Sequence, residues 1–179
     1  MTRLGQIGRT LQFAAFACGM VFATSANAQS GDTATQATGP STAAEQDQRS
    51  YHNAQQSYLA GLQAKDGWYT MEGGLRWRYL EYKGTGDSPT PADTVTVHYA
   101  GTFIDGKTFD SSYDRGEPAT FPLSGLVKAW EMAIPEMRVG ETIELAAPAS
   151  LAYGPRGRGP IPGGATLVFK VELISIEGR

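Results

Sequence analysis

A chain of 179 residues, 41% hydrophobic and 18% charged, is long enough for one ordinary domain with tails. A formal net charge of -3 argues against a general nucleic-acid binder. The 22 Gly and 10 Pro are scattered, which excludes a collagen-like chain and fits a turn-rich, sheet-dominated fold.

Residues 1–28 differ in composition from the rest. Arg3 and Arg9 precede an apolar run over residues 11–23, no acid is present, and Ala26-Asn27-Ala28 is a small-x-small cleavage site. The pattern reads as a secretory signal cleaved near Ala28; its apolar run is too short to span a bilayer comfortably. An uncleaved anchor is the alternative. Cleavage there removes Cys18, the single cysteine, and with it any disulfide or thiol chemistry. Residues 29–47, rich in Ser, Thr, Ala, Gly and Gln, are expected to be a disordered linker, because they bury too little apolar surface to offset their ordering entropy. A helix is expected from about residue 43 to 65, with residues 48–66 taken as the N-terminal helical segment. Tyr51, Ala54, Tyr58 and Leu62 form its modest stripe, which would dock on the domain or on a second copy; the alternative is a partly frayed helix with no partner, since isolated helices of this length are marginal in water.

Residues 67–92 form a lead-in strand and loop. Leu75, Trp77 and Tyr79 alternate with Arg76 and Arg78 over 71–84, and Gly-Thr-Gly-Asp-Ser-Pro ends the run. A second strand is expected over 94–103, with Val95, Val97 and Tyr99 on one face. Asp105-Gly106 supplies a hairpin turn. The returning strand then holds Phe109 and Asp110 close to Tyr99. Residues 113–116 read as a loop and 119–121 as a short extended piece. Ser124 reads as the N-cap of a helix over 124–132 that presses Leu126, Val127 and Trp130 into the sheet and stops at Pro135. Strands follow over 141–147 and 166–176, separated by a long Gly- and Pro-rich loop over 148–164. The fold class is α+β: an antiparallel sheet with one short central helix.

The usual catalytic sets are missing: there is no Ser-His-Asp arrangement with supporting motifs, no HExxH, no CxxC and no phosphate-binding glycine loop. His98 alternates with Val97 and Tyr99, so it should face away from them in a structural role, and one domain histidine without cysteine does not suggest a metal site. What remains is aromatic: Tyr99, Phe109, Phe121, Trp130, Tyr153 and Phe169. Composition alone leaves open whether they fill a core or line a pocket.

The order VHYAG (97–101), DGKTFDSS (105–112), RGEP (115–118), LVKAW (126–130), MRVGE (137–141), AYG (152–154) and IPGGATLVFKVEL (161–173) resembles the FKBP-type peptidyl-prolyl cis-trans isomerases. The match runs over roughly residues 93–176, and 93–179 is taken as the isomerase domain. Residues 74–95 resemble the lead-in of the exported, macrophage-infectivity-potentiator-like branch. The resemblance implies a curved antiparallel sheet wrapped around a short helix, no cofactor, and a location in the periplasm or cell envelope.

The resemblance also implies roles. Trp130 would floor a pocket for the proline ring, walled by Tyr99, Phe109, Phe121 and Phe169, with Leu126, Val127 and Ile161 at the rim. The Val127 N–H and the Tyr153 hydroxyl would each donate to a substrate carbonyl. Asp110 would polarise the twisting amide or orient Tyr99, and Arg115 would support Asp110 or Tyr99. The implied partners are proline-containing unfolded or partly folded polypeptides and, in the same pocket, macrolide inhibitors; the helical segment could form a homodimer. Departures from the family pattern include Ala119 where an aromatic is common, Ala129 for Gly, Pro160 for an aliphatic, Gly163 for Pro, and a loop about one residue short carrying Arg156 and Arg158. These arginines would either favour acidic residues near the target proline or form a solvated face. Two other functions compete with an exported isomerase that assists folding: a holdase in which isomerisation is secondary, and a binding module with a degraded site.

Overall fold

The computed structural model describes residues 42–82 and 85–178. The signal segment and residues 29–41 of the expected linker lie outside these residues, whereas 43–47, also expected to be linker, form the first turns of a helix because Thr42 and Glu45 cap its start.

Helix α1, Ala43–Gly61, starts at Thr42, whose hydroxyl accepts the Glu45 N–H while the Glu45 side chain accepts the Thr42 N–H. This reciprocal cap satisfies two donors that a helix start leaves open. Tyr58, Leu59 and Leu62 at its C-terminal end pack against Trp68, Ala146 and Val168 of the domain. Gln55, absent from the apolar stripe, is the residue α1 buries most deeply, and its Oε1 accepts the Thr166 N–H at 2.8 Å. Truncation by Gln55→Ala strands that buried N–H and is expected to cost about 1–3 kcal/mol. Faster amide exchange in α1 and at Thr166 would register the loss; unchanged exchange would contradict it.

Seven strands follow: β1 Tyr69–Thr70, β2 Arg76–Glu81, β3 Thr94–Phe103, β4 Thr108–Ser111, β5 Ala119–Pro122, β6 Thr142–Ala147 and β7 Leu167–Ile176. The sheet order is β1-β2-β6-β7-β3-β4, with β5 paired to β3, and the pairings are antiparallel. Register shifts at Thr96/Val97 and Tyr79/Glu81 bend the ladder, as inserted residues do. On the inner face, Leu75, Val95, Val97, Ile143, Leu145, Leu167, Val171 and Leu173 are fully buried. The alternation of β3 and β7 thus builds one core. Val168 points away from that core yet is buried too, because α1 and Trp68 cover it.

Between β4 and β5 the chain makes a single helical turn, α2 Ser112–Arg115, where the sequence read as a loop. The Ser111 hydroxyl caps it by accepting the Asp114 N–H, and Gly116 closes it with φ 77°. The helix expected over 124–132 is displaced. Residues Leu123–Gly125 form a 3-10 turn, and α3 runs Lys128–Ala133 with Val127, not Ser124, at its N-cap. Pro135 does not end the coil abruptly; a 3-10 turn, Ile134–Glu136, carries the chain past it. Helix α3 packs into the core on the inner face of the sheet with Ala129, Trp130 and Ala133 buried.

Candidate active site

Strand β3 sets Tyr99 on the inner face, and the hairpin brings β4 back against it. The turn is the one Asp-Gly favours: Gly106 takes φ 86°, the Asp105 carboxylate accepts the Lys107 N–H at 2.9 Å, and Phe103 N–H donates to the Lys107 carbonyl at 2.9 Å. Register then sets Asp110 opposite Gly101. Gly101 itself is a packing requirement, since a Cβ there would fall 2.6 Å from Phe109 Cζ.

Trp130 reaches into this cup from α3. Its indole meets Tyr99 at 5.3 Å between ring centres and 82°, Phe169 at 5.4 Å and 85°, and Phe121 at 6.3 Å and 79°. Phe109 stands at 87° to Phe169, 5.8 Å away. Edge-to-face pairs of this kind direct positive ring edges at negative faces. The rings enclose an open cavity of about 220 Å³, also lined by Asp110, Leu126, Val127, Tyr153 and Arg158. Ile161, expected at the rim, is buried in the core, and Arg158 lines the cavity instead. Ala119 and Pro160 are not among the lining residues, so neither departure from the family pattern touches the cavity directly.

At the edge of the cavity three polar side chains bond to one another. The Tyr99 hydroxyl donates to Asp110 Oδ2 at 2.5 Å, Arg115 Nη1 pairs with Asp110 Oδ1, and Arg115 Nη2 donates to the Tyr99 oxygen at 3.0 Å. Arg115 is not a lining residue; it holds two that are. Burial pushes the Tyr99 hydroxyl above its ordinary pKa, and the bond to Asp110 adds to this. For Asp110 burial works upward, but the hydrogen bonds from Tyr99 and Arg115 win and hold the carboxyl below 3.8. A folded-state pKa below the unfolded value means the carboxylate stabilises the fold above that unfolded value; the contribution disappears as pH falls through the lowered one. We expect NMR titration of the Asp110 carboxyl carbon to give a midpoint under 3.8, and Arg115→Gln to raise it by removing a donor and a cation. A midpoint that ignores Arg115→Gln would contradict the geometry.

Three donors here have no acceptor among the described residues. Trp130 Nε1 is buried without a partner. The Val127 N–H, at the start of α3, and the Tyr153 hydroxyl bond to none of them either. Leaving the buried Trp130 donor unpaired costs about 1–3 kcal/mol, while the Val127 and Tyr153 donors belong to half-buried residues of the cavity wall and are suited to meet a ligand's carbonyls. His98 lies on the opposite face, its Nδ1 2.9 Å from Ser112 Oγ and its ring stacked on Tyr113 at 4.7 Å. That places it with a structural cluster in which Tyr113 donates to Glu172 and burial, then Glu172, push the Tyr113 hydroxyl up to about 12. Among the described residues no group of three His, Cys, Asp or Glu is placed to hold a metal, and no helix is long and apolar enough to cross a membrane.

The family model described as FKBP-type peptidyl-prolyl cis-trans isomerase matches residues 86–174. FK506-binding protein 1 of Kluyveromyces lactis is 46% identical over 111 residues, which cover 60% of this chain and 97% of that protein. The outer membrane protein MIP of Legionella longbeachae is 43% identical over 122 residues, 68% of this chain and 52% of that protein. The crystal structure of FkpA from Escherichia coli superposes with a TM-score of 0.69 at 39% identity, covering 74% of this chain and 62% of the other. The chain spans about half the length of several of the curated relatives it matches. With nearly the whole of the yeast protein matched, and with the ring-lined cavity and its Asp110–Tyr99–Arg115 edge built on the same fold, the chain belongs to the FKBP-type peptidyl-prolyl cis-trans isomerases.

Proposed function

We propose that the protein accelerates rotation about X-Pro peptide bonds in exported polypeptides and so assists their folding. The observation that carries this reading is the open cavity floored by Trp130, walled by rings, with Val127 and Tyr153 in its wall carrying donors that no protein acceptor takes up among the described residues. Rotation breaks no bond. Its barrier of about 18–20 kcal/mol is amide resonance, and the uncatalysed event takes tens of seconds or more. A twisted amide has lost conjugation and is less polar than the planar one. A dry aromatic wall therefore favours it over the ground state, and each ~1.4 kcal/mol of that difference speeds the step tenfold.

In this reading Tyr99, Phe109, Phe121, Trp130 and Phe169 hold the proline ring, with Leu126 beside it. The Val127 N–H and the Tyr153 hydroxyl hold the flanking carbonyls so that one side of the bond can turn. Asp110, kept ionised by Tyr99 and Arg115, presents negative charge to an amide whose carbonyl carbon becomes more electrophilic as it twists. Ile161, buried in the core, anchors the backbone of the lining residue Arg158. Export is supported by the composition of residues 1–28 and by a relative named as an outer membrane protein. FK506, for which the Kluyveromyces relative is named, would compete for the same cavity.

The test is a protease-free isomerisation assay on proline peptides with the whole chain. We expect acceleration over buffer, inhibition by FK506, and a fall in kcat/KM of about tenfold for Tyr153→Phe, the worth of one hydrogen bond realised as the bond twists. No acceleration over buffer would overturn the reading. A second reading, a holdase, draws on a groove of about 420 Å³ between α1 and the β3–β4 turn, lined by Tyr51, Ala54, Phe103, Ile104, Pro160 and Pro162. Suppression of aggregation that survives Asp110→Ala and Trp130→Ala would favour it.

A further inference from the structure

Arg158 lines the mouth of the cavity with its guanidinium carbon 5.8 Å from the centre of the Tyr153 ring. The backbone beneath it is pinned. Arg158 and Ile161 exchange both of their backbone hydrogen bonds at 2.9 Å, and Ile161 is anchored in the core. Gly157, immediately before, takes φ 71°, and a Cβ there would lie 2.1 Å from the Ile161 carbonyl oxygen. Only glycine fits so close an approach. The turn therefore presents the arginine at one place on the rim, where ring contact restrains it further.

The charges around the mouth do not cancel. Arg115 is matched by Asp110, and Lys128 by Glu131. The Arg158 side chain makes no ion pair or hydrogen bond among the described residues, and Arg156, also exposed, is not a lining residue. One uncompensated positive charge thus faces whatever flanks a bound proline. A guanidinium is charged at any working pH and offers a planar fork that a carboxylate meets with two parallel bonds.

Resting on the isomerase reading above, we propose that Arg158 is a specificity-determining residue that favours target prolines with an acidic side chain next to them in the sequence. The pair forms at a solvent-exposed mouth, so its worth is that of a good surface ion pair, about fivefold in affinity. The carboxylate sits off the rotating bond and is held alike in the planar and twisted states. The gain therefore falls in KM, not kcat.

The experiment uses the whole chain and proline peptides carrying Glu, Gln or Lys immediately before or immediately after the proline, at low and high salt. We expect the Glu peptide in one of the two series to exceed its Gln counterpart about fivefold in kcat/KM through KM, with the Lys peptide below Gln. High salt shrinks the difference. Whatever it does to the Gln peptide, Arg158→Gln brings the Glu-to-Gln ratio to one, Arg158→Lys restores part of it, and Arg158→Glu inverts it toward the Lys peptide. Arg156→Gln leaves the ratio in place. Equal turnover of Glu and Gln peptides by the unaltered protein, or a ratio indifferent to Arg158→Gln, overturns this proposal while leaving the isomerase reading intact. No acceleration of any peptide overturns both.

Discussion

Replacing Trp130 with alanine is expected to remove isomerisation of proline peptides to near the buffer rate and to lower stability by about 3–5 kcal/mol, the usual cost of deleting a buried indole. Both effects follow from one position. Trp130 is 4% exposed, and three other rings stand almost perpendicular to its indole, so its loss leaves those walls without a common floor. Denaturant unfolding and the peptide assay measure the two effects separately. Because the alanine variant could lose activity by unfolding alone, Trp130→Phe is the companion. It keeps an aromatic floor and deletes the buried, unpartnered N–H, so the gain from removing that donor offsets part of the lost volume. It is expected to stay folded with activity between the other two. Turnover by Trp130→Ala at the unaltered rate would mean the cavity is not where proline binds.

Gly101→Ala is expected to act on the same cavity from behind. The added methyl carbon would lie 2.6 Å and 2.8 Å from two Phe109 ring atoms and 3.1 Å from a Phe169 ring atom. Phe169 is buried in the middle of the sheet and cannot give way, while Phe109 is only half buried and can swing toward the cavity. Overpacking of this kind costs about 1–3 kcal/mol. The displaced wall should lower kcat/KM for proline peptides about tenfold or more, since a shift near 1 Å spoils the fit around a small ring. Gly106→Ala separates shape from stability. Gly106 has φ 86° with open space around it, so alanine there strains the hairpin tip without touching a ring. It should cost about 1 kcal/mol or more and leave kcat/KM alone. Equal activity loss in the two glycine variants would contradict the argument.

The sequence reveals most where alternation and core coincide. Val95, Val97 and Tyr99 mark β3 to the residue, because one face of that strand meets only the core. It misleads where a polar residue has two uses: Ser124 is a good cap by type but sits inside a 3-10 turn, and Ser111, which lies in a strand run, caps α2. Tertiary cover is invisible to periodicity. Val168 falls on the outward face by alternation and is buried only because α1 lies over it, and Gln55 is buried because a distant N–H needs an acceptor. At the site, the rings were legible as residue types, but their perpendicular arrangement depends on pairing between strands far apart in the chain. The exchange of Ile161 for Arg158 at the rim depends on the glycine turn between them, which no spacing rule encodes.

The place of β7 has a consequence for how the molecule comes into being. It lies between β3 and β6, paired with β3 from Leu167 to Ile176 and with β6 from Leu167 to Glu172, and it follows both in the chain. A nascent chain that has not yet released this segment therefore holds two half-sheets with no seam to join them, and Phe169 has not arrived to complete the ring of aromatics. The aromatic cavity can therefore assemble only once β7 has been made and has paired with both neighbours.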